Sequence, residues 1–346
     1  MLDQFIINVK LFLSQLSLNN FRNLSKLNRL LFWIMIMKIM ITGGMGFIGS
    51  HLCDDLVNDH EIIVVSKSES KKDNLIQLLS KIKIEYLDIT DFSKLEKIIL
   101  KHNPEVIIHL AGQTSHSQSF ENPIYDIDVN AKSTMCILET IRTHNLQCKF
   151  ILGSTFIVIG RPIQLPINEE TPCFPTTIYG TNRLTSEFFC KIYHDVHGLD
   201  TMIFRITNSF GPREQYLTTK NAINHLIYKA FKGMEITIYN NGKFFRDLIY
   251  VSDVISGIKN IMLKGKPGNL YWISSNTKTW FYEFGETLQR LTRTPVVYVD
   301  PPKYTKQVDV GNFLVDNSKL RSLGWEPKAS LEDGIKKTLE YFHNLK

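Results

Sequence analysis

The chain has 346 residues, 43% hydrophobic and 21% charged, a globular composition that excludes disordered, collagen-like and coiled-coil architectures. Lys and Arg number 40 against 34 Asp and Glu, and half of the resulting +6 sits in residues 1–36, where Lys10, Arg22, Lys26 and Arg29 face only Asp3. A weakly basic body without a Lys/Arg block argues against nucleic acid as a partner, and five scattered cysteines without C-x-x-C spacing predict reduced thiols in a cytoplasmic protein.

Residues 1–36 stand apart. Their apolar runs at 5–7, 11–13 and 30–37 fall short of the ~20 residues that span a bilayer. No small-residue cleavage site succeeds them. Alternating cations with Leu and Phe would suit a membrane-surface helix. We read an extension outside the fold instead, because Met37-Lys-Ile-Met-Ile-Thr-Gly-Gly makes a natural beginning for a folded body.

From there, apolar runs at 38–42, 61–65, 82–87, 106–110, 150–152 and 202–206 read as buried strands. Helical patterns lie between them at 47–58, 75–81, 92–102, 124–145 and 179–197. Such alternation predicts an α/β fold, a Rossmann-type doubly wound parallel sheet, over 37–210. After Gly211-Pro212 the alternation breaks up. Strand-like pieces at 235–239, 270–274 and 296–300, with helices near 221–232 and 330–343, predict a smaller α+β substrate lobe over 211–346, some of whose segments return to the first domain.

Residues 42–49 read Thr-Gly-Gly-Met-Gly-Phe-Ile-Gly, directly after the first strand and opening the first helix. Gly43 permits the tight turn, Gly46 lets backbone approach a pyrophosphate, and Gly49 lets helix pack on strand. Helix-terminal amides, around Phe47 and Ile48, then face the anion. In isolation such glycines are a structural turn; opening a strand–helix–strand unit, they predict a bound dinucleotide. The acidic residue that would hold the ribose 2′-hydroxyl is missing, and the second strand ends at Ser66-Lys67. NAD is the preferred cofactor, with NADP left open.

These residues resemble the extended short-chain dehydrogenase/reductase family, in its NAD-dependent nucleotide-sugar epimerase/dehydratase branch, over residues 37–346. The match continues through Asp88-Ile-Thr-Asp91, His109-Leu-Ala-Gly112, Asn130 in its helix, 205–213 (Arg-Ile-Thr-Asn-Ser-Phe-Gly-Pro-Arg), 246–253 (Arg-Asp-Leu-Ile-Tyr-Val-Ser-Asp) and, at the C-terminal end, 316–325. The resemblance implies that Asp88 and Ile89 meet the adenine, that Leu110, Ala111 and Gly112 pass beneath the cofactor with Asn130, and that the partners are a nucleotide-diphosphate sugar and a second copy of the chain.

Tyr179 and Arg183 are spaced i, i+4 at the start of a helix and share one face. The family pattern is Tyr-x-x-x-Lys, in which tyrosine is the acid/base and the cation lowers its pKa. Arg replaces Lys here; it keeps the charge with a planar, differently shaped donor set. Thr155, with Ser154 as the neighbouring alternative, falls where the family orients the reacting sugar hydroxyl. Dehydratases of the family place Asp-Glu or Ser-Glu after that Thr, and here Phe156 and Ile157 stand there, which cannot move protons. Asn208, Arg213 and Arg246 match the substrate diphosphate end, where arginine forks suit phosphate, and Gln113, Thr114 and Ser115 are candidates for the sugar pocket. His116 ends the same stretch; its alternative is a catalytic role, but a lone loop histidine reads as structural or solvated, and without a Cys/His/Asp cluster no metal is expected. The resemblance, taken with these residues, implies a nucleotide-sugar epimerase, acting at C4 through a transient keto-sugar. The alternatives are a 4-dehydrogenase or 4-keto reductase, then a dehydratase, then a non-catalytic nucleotide-binding relative.

Overall fold

The computed structural model describes residues 36–216, 222–301 and 309–345, so nearly all of the N-terminal extension expected at 1–36 lies outside the described residues. Strand and helix alternate as the apolar runs predict through β1 (Lys38–Thr42), α1 (Phe47–Leu56), β2 (Glu61–Ser66), β3 (Ile82–Tyr86), α2 (Phe92–His102) and β4 (Val106–His109). The helix expected at 75–81 is a 3₁₀ segment, Glu69–Leu78, capped by Ser68. Its polar run offers no apolar stripe on which an α-helix would pack.

The long helix expected at 124–145 is broken. Short helices α3 (His116–Glu121) and α4 (Pro123–Ile127) lead into a π turn at Asp128–Lys132, and only then comes α5 (Ser133–Thr143). The chain continues through β5 (Lys149–Thr155), α6 (Ile178–His197), β6 (Thr201–Ile206) and β7 (Asn208–Phe210). Next come α7 (Ala222–Phe231), β8 (Ile236–Tyr239), β9 (Phe245–Arg246), β10 (Leu248–Tyr250) and α8 (Val251–Lys264). It ends with β11 (Leu270–Ile273), β12 (Thr279–Trp280), α9 (Phe281–Thr292), β13 (Val296–Val299), α10 (Ser318–Arg321) and α11 (Leu331–Asn344).

Seven parallel strands run in the order β11-β6-β5-β4-β1-β2-β3. Met40, Ile63, Ile107 and Phe150 face a core completed by Ile137 and Leu138 of α5 and Cys190 and Tyr193 of α6. Their alternate neighbours Ile39, Ile41, Ile62 and Val64 are equally buried. A sheet covered on both faces needs such continuous apolar strands. One reading of the sequence changes: the run at 270–274 belongs to this sheet, not to the lobe. Tyr271, Trp272 and Ile273 are buried because α8 carries the chain back so that β11 pairs in parallel with β6. The lobe itself is built from two-stranded pairs, β7–β10, β9–β12 and β8–β13, beside an aromatic cluster in which Tyr216 stacks on Tyr228 at 3.9 Å and Phe342 packs edge-on.

Strand order reverses between β1 and β4, so a crevice opens at their carboxyl ends. Beside it, a buried ion pair ties three elements together. Arg205 of β6 meets Glu187 of α6 at 2.6 and 3.0 Å, Glu187 accepts from Ser154 of β5 at 2.5 Å, and the guanidinium lies over Trp272 at 5.3 Å. Glu187→Gln leaves Arg205 buried without its counterion and should lower the unfolding free energy by about 3–5 kcal/mol in urea titration. An unchanged midpoint would show that the pair does not hold this edge.

Candidate active site

The loop between β1 and α1 is built on close approach. Gly43 adopts φ +71°, and a Cβ there would sit 2.9 Å from the Ala111 nitrogen at the end of β4. A Cβ on Gly49 would lie 2.4 Å from the Gly43 carbonyl, so the helix start and the loop pack without side chains between them. Gly46 caps α1 with no side-chain hydrogen bond. The first-turn amides of Phe47, Ile48 and Gly49 have no helical acceptor and are available to an anion.

The ends of β1 and β4 are cross-braced. His109 is fully buried, its Nδ1 2.7 Å from Thr42 Oγ1 and its Nε2 3.2 Å from Ser133 Oγ, and Thr42 Oγ1 also accepts from the Ala111 amide. Burial, reinforced by the Arg183 charge, pushes the imidazole pKa down to about 3. The ring is therefore neutral, and it holds the two loops at fixed separation.

A cavity of about 1190 Å³ runs from these loops to the lobe, reaching Phe244 and Phe281. That exceeds the ~300–1,000 Å³ typical of a small-ligand pocket and suits more than one ligand. Thr177 accepts from the Gly180 amide and starts α6, which places Tyr179 and Arg183 on the cavity wall. Tyr179, Thr155 and Arg183 converge: burial favours the neutral phenol, and the Arg183 charge and the Thr155 hydroxyl both favour the phenolate. Burial outweighs them, so the net shift of the phenol is upward, not the lowering expected from the sequence. Without a ligand the phenol is protonated at neutral pH.

The site also contains unmet hydrogen-bonding capacity. Arg183 is 4% exposed and its Nη1 has no partner; Asn130 Oδ1 and Asn208 Nδ2 are likewise buried and unbonded. The π turn presents Asn130, whose Nδ2 donates to the Gln113 carbonyl. Such atoms are costly to bury unless a ligand satisfies them. Hydroxyls and diphosphate oxygens at the switch point fit that requirement, so the residues suit a dinucleotide.

The family model for GDP-mannose 4,6-dehydratase matches residues 40–338. A putative UDP-glucose 4-epimerase of Methanocaldococcus jannaschii is 31% identical, over 88% of this chain and 98% of its own. A dTDP-glucose 4,6-dehydratase of Shigella flexneri is 26% identical, over 88% and 92%. The crystal structure of Thermotoga maritima UDP-glucose 4-epimerase with UDP-glucose superposes with a TM-score of 0.82 at 31% identity, covering 89% of this chain and 99% of that one. The chain belongs to the extended short-chain dehydrogenase/reductase family, in its NAD-dependent epimerase/dehydratase branch.

Against that family's pattern, the expected residues divide. Gly43, Gly46, Phe47, Ile48, Gly49, Ser66, Lys67, Asp88, Ile89, Leu110, Ala111, Gly112 and Asn130 all line the cavity, as do Gln113, Thr114, Asn208 and Arg246. Two predicted site residues do not. Ser115 is 1% exposed and spends its hydroxyl capping α3 through the Gln118 amide. Arg213, whose backbone is left-handed (φ +67°), pairs with Asp54 of α1 at 2.6 Å and is absent from the cavity wall. Gln113 reaches the cavity but commits its side-chain amide to Asp126 and Ser115. Arg246 is braced by Asp309 at 2.5 Å and stacks on Phe244. Ser154, bonded to Glu187, is taken by the framework, leaving Thr155 beside Tyr179.

His116, which from the sequence reads as a structural or solvated loop histidine at the end of a pocket-lining stretch, stacks its ring on Tyr179 at 5.9 Å and lines the cavity. Only tertiary packing brings the two rings together.

His109 makes a pH prediction. Its folded pKa lies below the unfolded 6.5, so the neutral ring's stabilisation is complete above pH 6.5 and is lost as pH falls toward 3. Urea midpoints between pH 7 and 4 should fall less steeply for His109→Asn than for the natural chain; parallel slopes would refute the assignment.

Proposed function

We propose that this chain is a nucleotide-sugar epimerase acting at sugar C4 with tightly held NAD. What carries the reading is the convergence of Thr155, Tyr179 and Arg183 in a cavity where Phe156 and Ile157, not carboxyl-bearing residues, come after Thr155. Phe156 packs edge-on against Phe313 at 5.0 Å, and Ile157 is buried. Neither side chain can pass a proton, so elimination of water lacks the acid/base pair that dehydratases place there. Relatives of both kinds match at similar identity, and this local chemistry favours epimerisation.

Gly43 to Gly49, Asp88, Ile89, Ala111, Asn130 and Arg183 would hold the dinucleotide. Bound NAD supplies a hydride acceptor that can return the hydride to either sugar face. Thr155 orients the sugar hydroxyl toward the Tyr179 oxygen. Tyr179 takes that proton as carbon–hydrogen cleavage leaves a ketone, and returns it when the carbon is reduced. Arg183, buried with one donor nitrogen unbonded, stabilises the phenolate form during this exchange and competes with the burial that keeps the resting phenol protonated. Asn208 and the braced Arg246 face the nucleotide-diphosphate end.

Tyr179→Phe should lower turnover by at least about 100-fold on a panel of UDP-, dTDP-, GDP- and CDP-hexoses, with the sugars resolved by chromatography, while dinucleotide retention is unchanged. Unchanged turnover sinks the assignment. Net accumulation of NADH by the natural chain would mark a dehydrogenase instead, and dinucleotide retention without turnover a non-catalytic relative.

We place the enzyme in the cytoplasm, consistent with its five free cysteines, and as a homodimer through α6. Phe188, Ile192 and Val196 form a stripe along that helix, 50–68% exposed, where i, i+4 spacing puts them on one face. Ile192→Asp should shift the light-scattering mass from dimer to monomer; a monomeric natural chain rejects this interface. Among the described residues, no helix is long and apolar enough to cross a membrane.

A further inference from the structure

We propose that the adenosine end of the site takes coenzymes with or without a 2′-phosphate, with Lys67 and Lys71 supplying the phosphate's countercharge. The inference rests on the coenzyme reading above and extends it to specificity. A carboxylate at the end of the second strand accepts the ribose 2′-hydroxyl and repels a 2′-phosphate. Here β2 ends at Ser66, and the cavity wall beyond it is made by Lys67, Ser68, Ser70 and Lys71. Hydroxyls and ammonium groups are donors to a phosphate, and none of them repels it.

The nearby acids do not restore a carboxylate's discrimination. Glu69 is absent from the cavity wall and pairs with Lys72 at 3.6 Å. Asp88 does line the wall, but its Oδ2 lies 2.8 Å from Lys67 Nζ and its Oδ1 accepts from the Thr90 amide and hydroxyl. Lys67 also donates to the Tyr125 hydroxyl at 2.9 Å and lies over that ring at 5.1 Å. These contacts anchor the ammonium at the cavity edge and use two of its three donor protons. Lys71, half-buried in the same wall, makes no ion pair among the described residues. The wall therefore carries one balanced and one unbalanced positive charge, and a 2′-phosphate adds a ligand to it. A plain 2′-hydroxyl loses little, because Ser66 and Ser68 also line this wall, and the Ser66 oxygen, whose proton goes to the Ser68 carbonyl at 3.2 Å, can still accept.

The test equilibrates the purified full chain with an equimolar mixture of NAD and NADP, removes free coenzyme, and quantifies what is released on denaturation by mass spectrometry. The natural chain should retain at least about one-tenth as much NADP as NAD. Lys67→Asp, which replaces the cation by a carboxylate one residue beyond the strand end, should cut the NADP share by about tenfold or more, and Lys71→Ala should cut it without reducing retained NAD. Circular dichroism verifies folding, and Lys71→Ala decides if Lys67→Asp does not fold. A NADP share below one-tenth for the natural chain, or a share unmoved by the variants, overturns the proposal while leaving NAD binding intact. Retention of neither coenzyme overturns the coenzyme reading itself.

Discussion

The brace between Thr42 and His109 is the constraint on which the site depends. It sits where the strand order reverses, and it holds the β1–α1 loop against the end of β4 closely enough that only glycine fits at 43. Everything that faces the dinucleotide site is referenced to this junction. The free amides of α1 lie on one side, and Ala111 and Gly112 on the other. Ser133 gives its proton to the Val129 carbonyl and so accepts from Nε2, which leaves Nδ1 of the neutral ring to accept from the Thr42 hydroxyl. Complete burial keeps the ring neutral and so serves geometry as well as packing.

One turn of α6 then sets the electrostatics of the cavity wall. Tyr179 and Arg183 lie on the same wall, and their electrostatics oppose each other: burial favours the neutral phenol, and the guanidinium and the Thr155 hydroxyl favour the phenolate. An acid/base group must exchange a proton in both directions, and a phenol caught between those tendencies is suited to it. Arg183 differs from the Lys of the family pattern in having a planar fork of donors, one of which has no protein partner. That donor and the unbonded Asn130 oxygen mark the polar interior as a ligand's share of the hydrogen-bond network.

The framework behind this wall is stiffened by charge as well as by apolar packing. Glu187, one turn beyond Arg183, turns away from the cavity to Arg205 and Ser154, so β5, β6 and α6 move as one piece. The same contact commits the Ser154 hydroxyl to Glu187 and leaves Thr155 as the hydroxyl beside Tyr179. On the lobe side, Asp309 and Phe244 brace Arg246 in the same manner. Side chains held by elements this well tied lose little entropy when a ligand meets them.

The amino-acid sequence by itself determined the parallel sheet, the glycine loop and the Tyr179–Arg183 pair, because period-2 and period-3.6 burial, tight turns and i, i+4 neighbours are local consequences of chain geometry. It also contained the replacement of dehydratase carboxylates by Phe156 and Ile157. Only the tertiary structure decided that β11 completes the sheet, that a π turn carries Asn130, that Arg213 pairs with Asp54 and Ser115 with its own helix, and that His116 stacks on Tyr179. Each of these hangs on contacts between segments far apart in the chain or on competition among nearby backbone bonds. Local periodicity holds no information about either, since a side chain's partner and its net charge balance are set by what folding brings beside it.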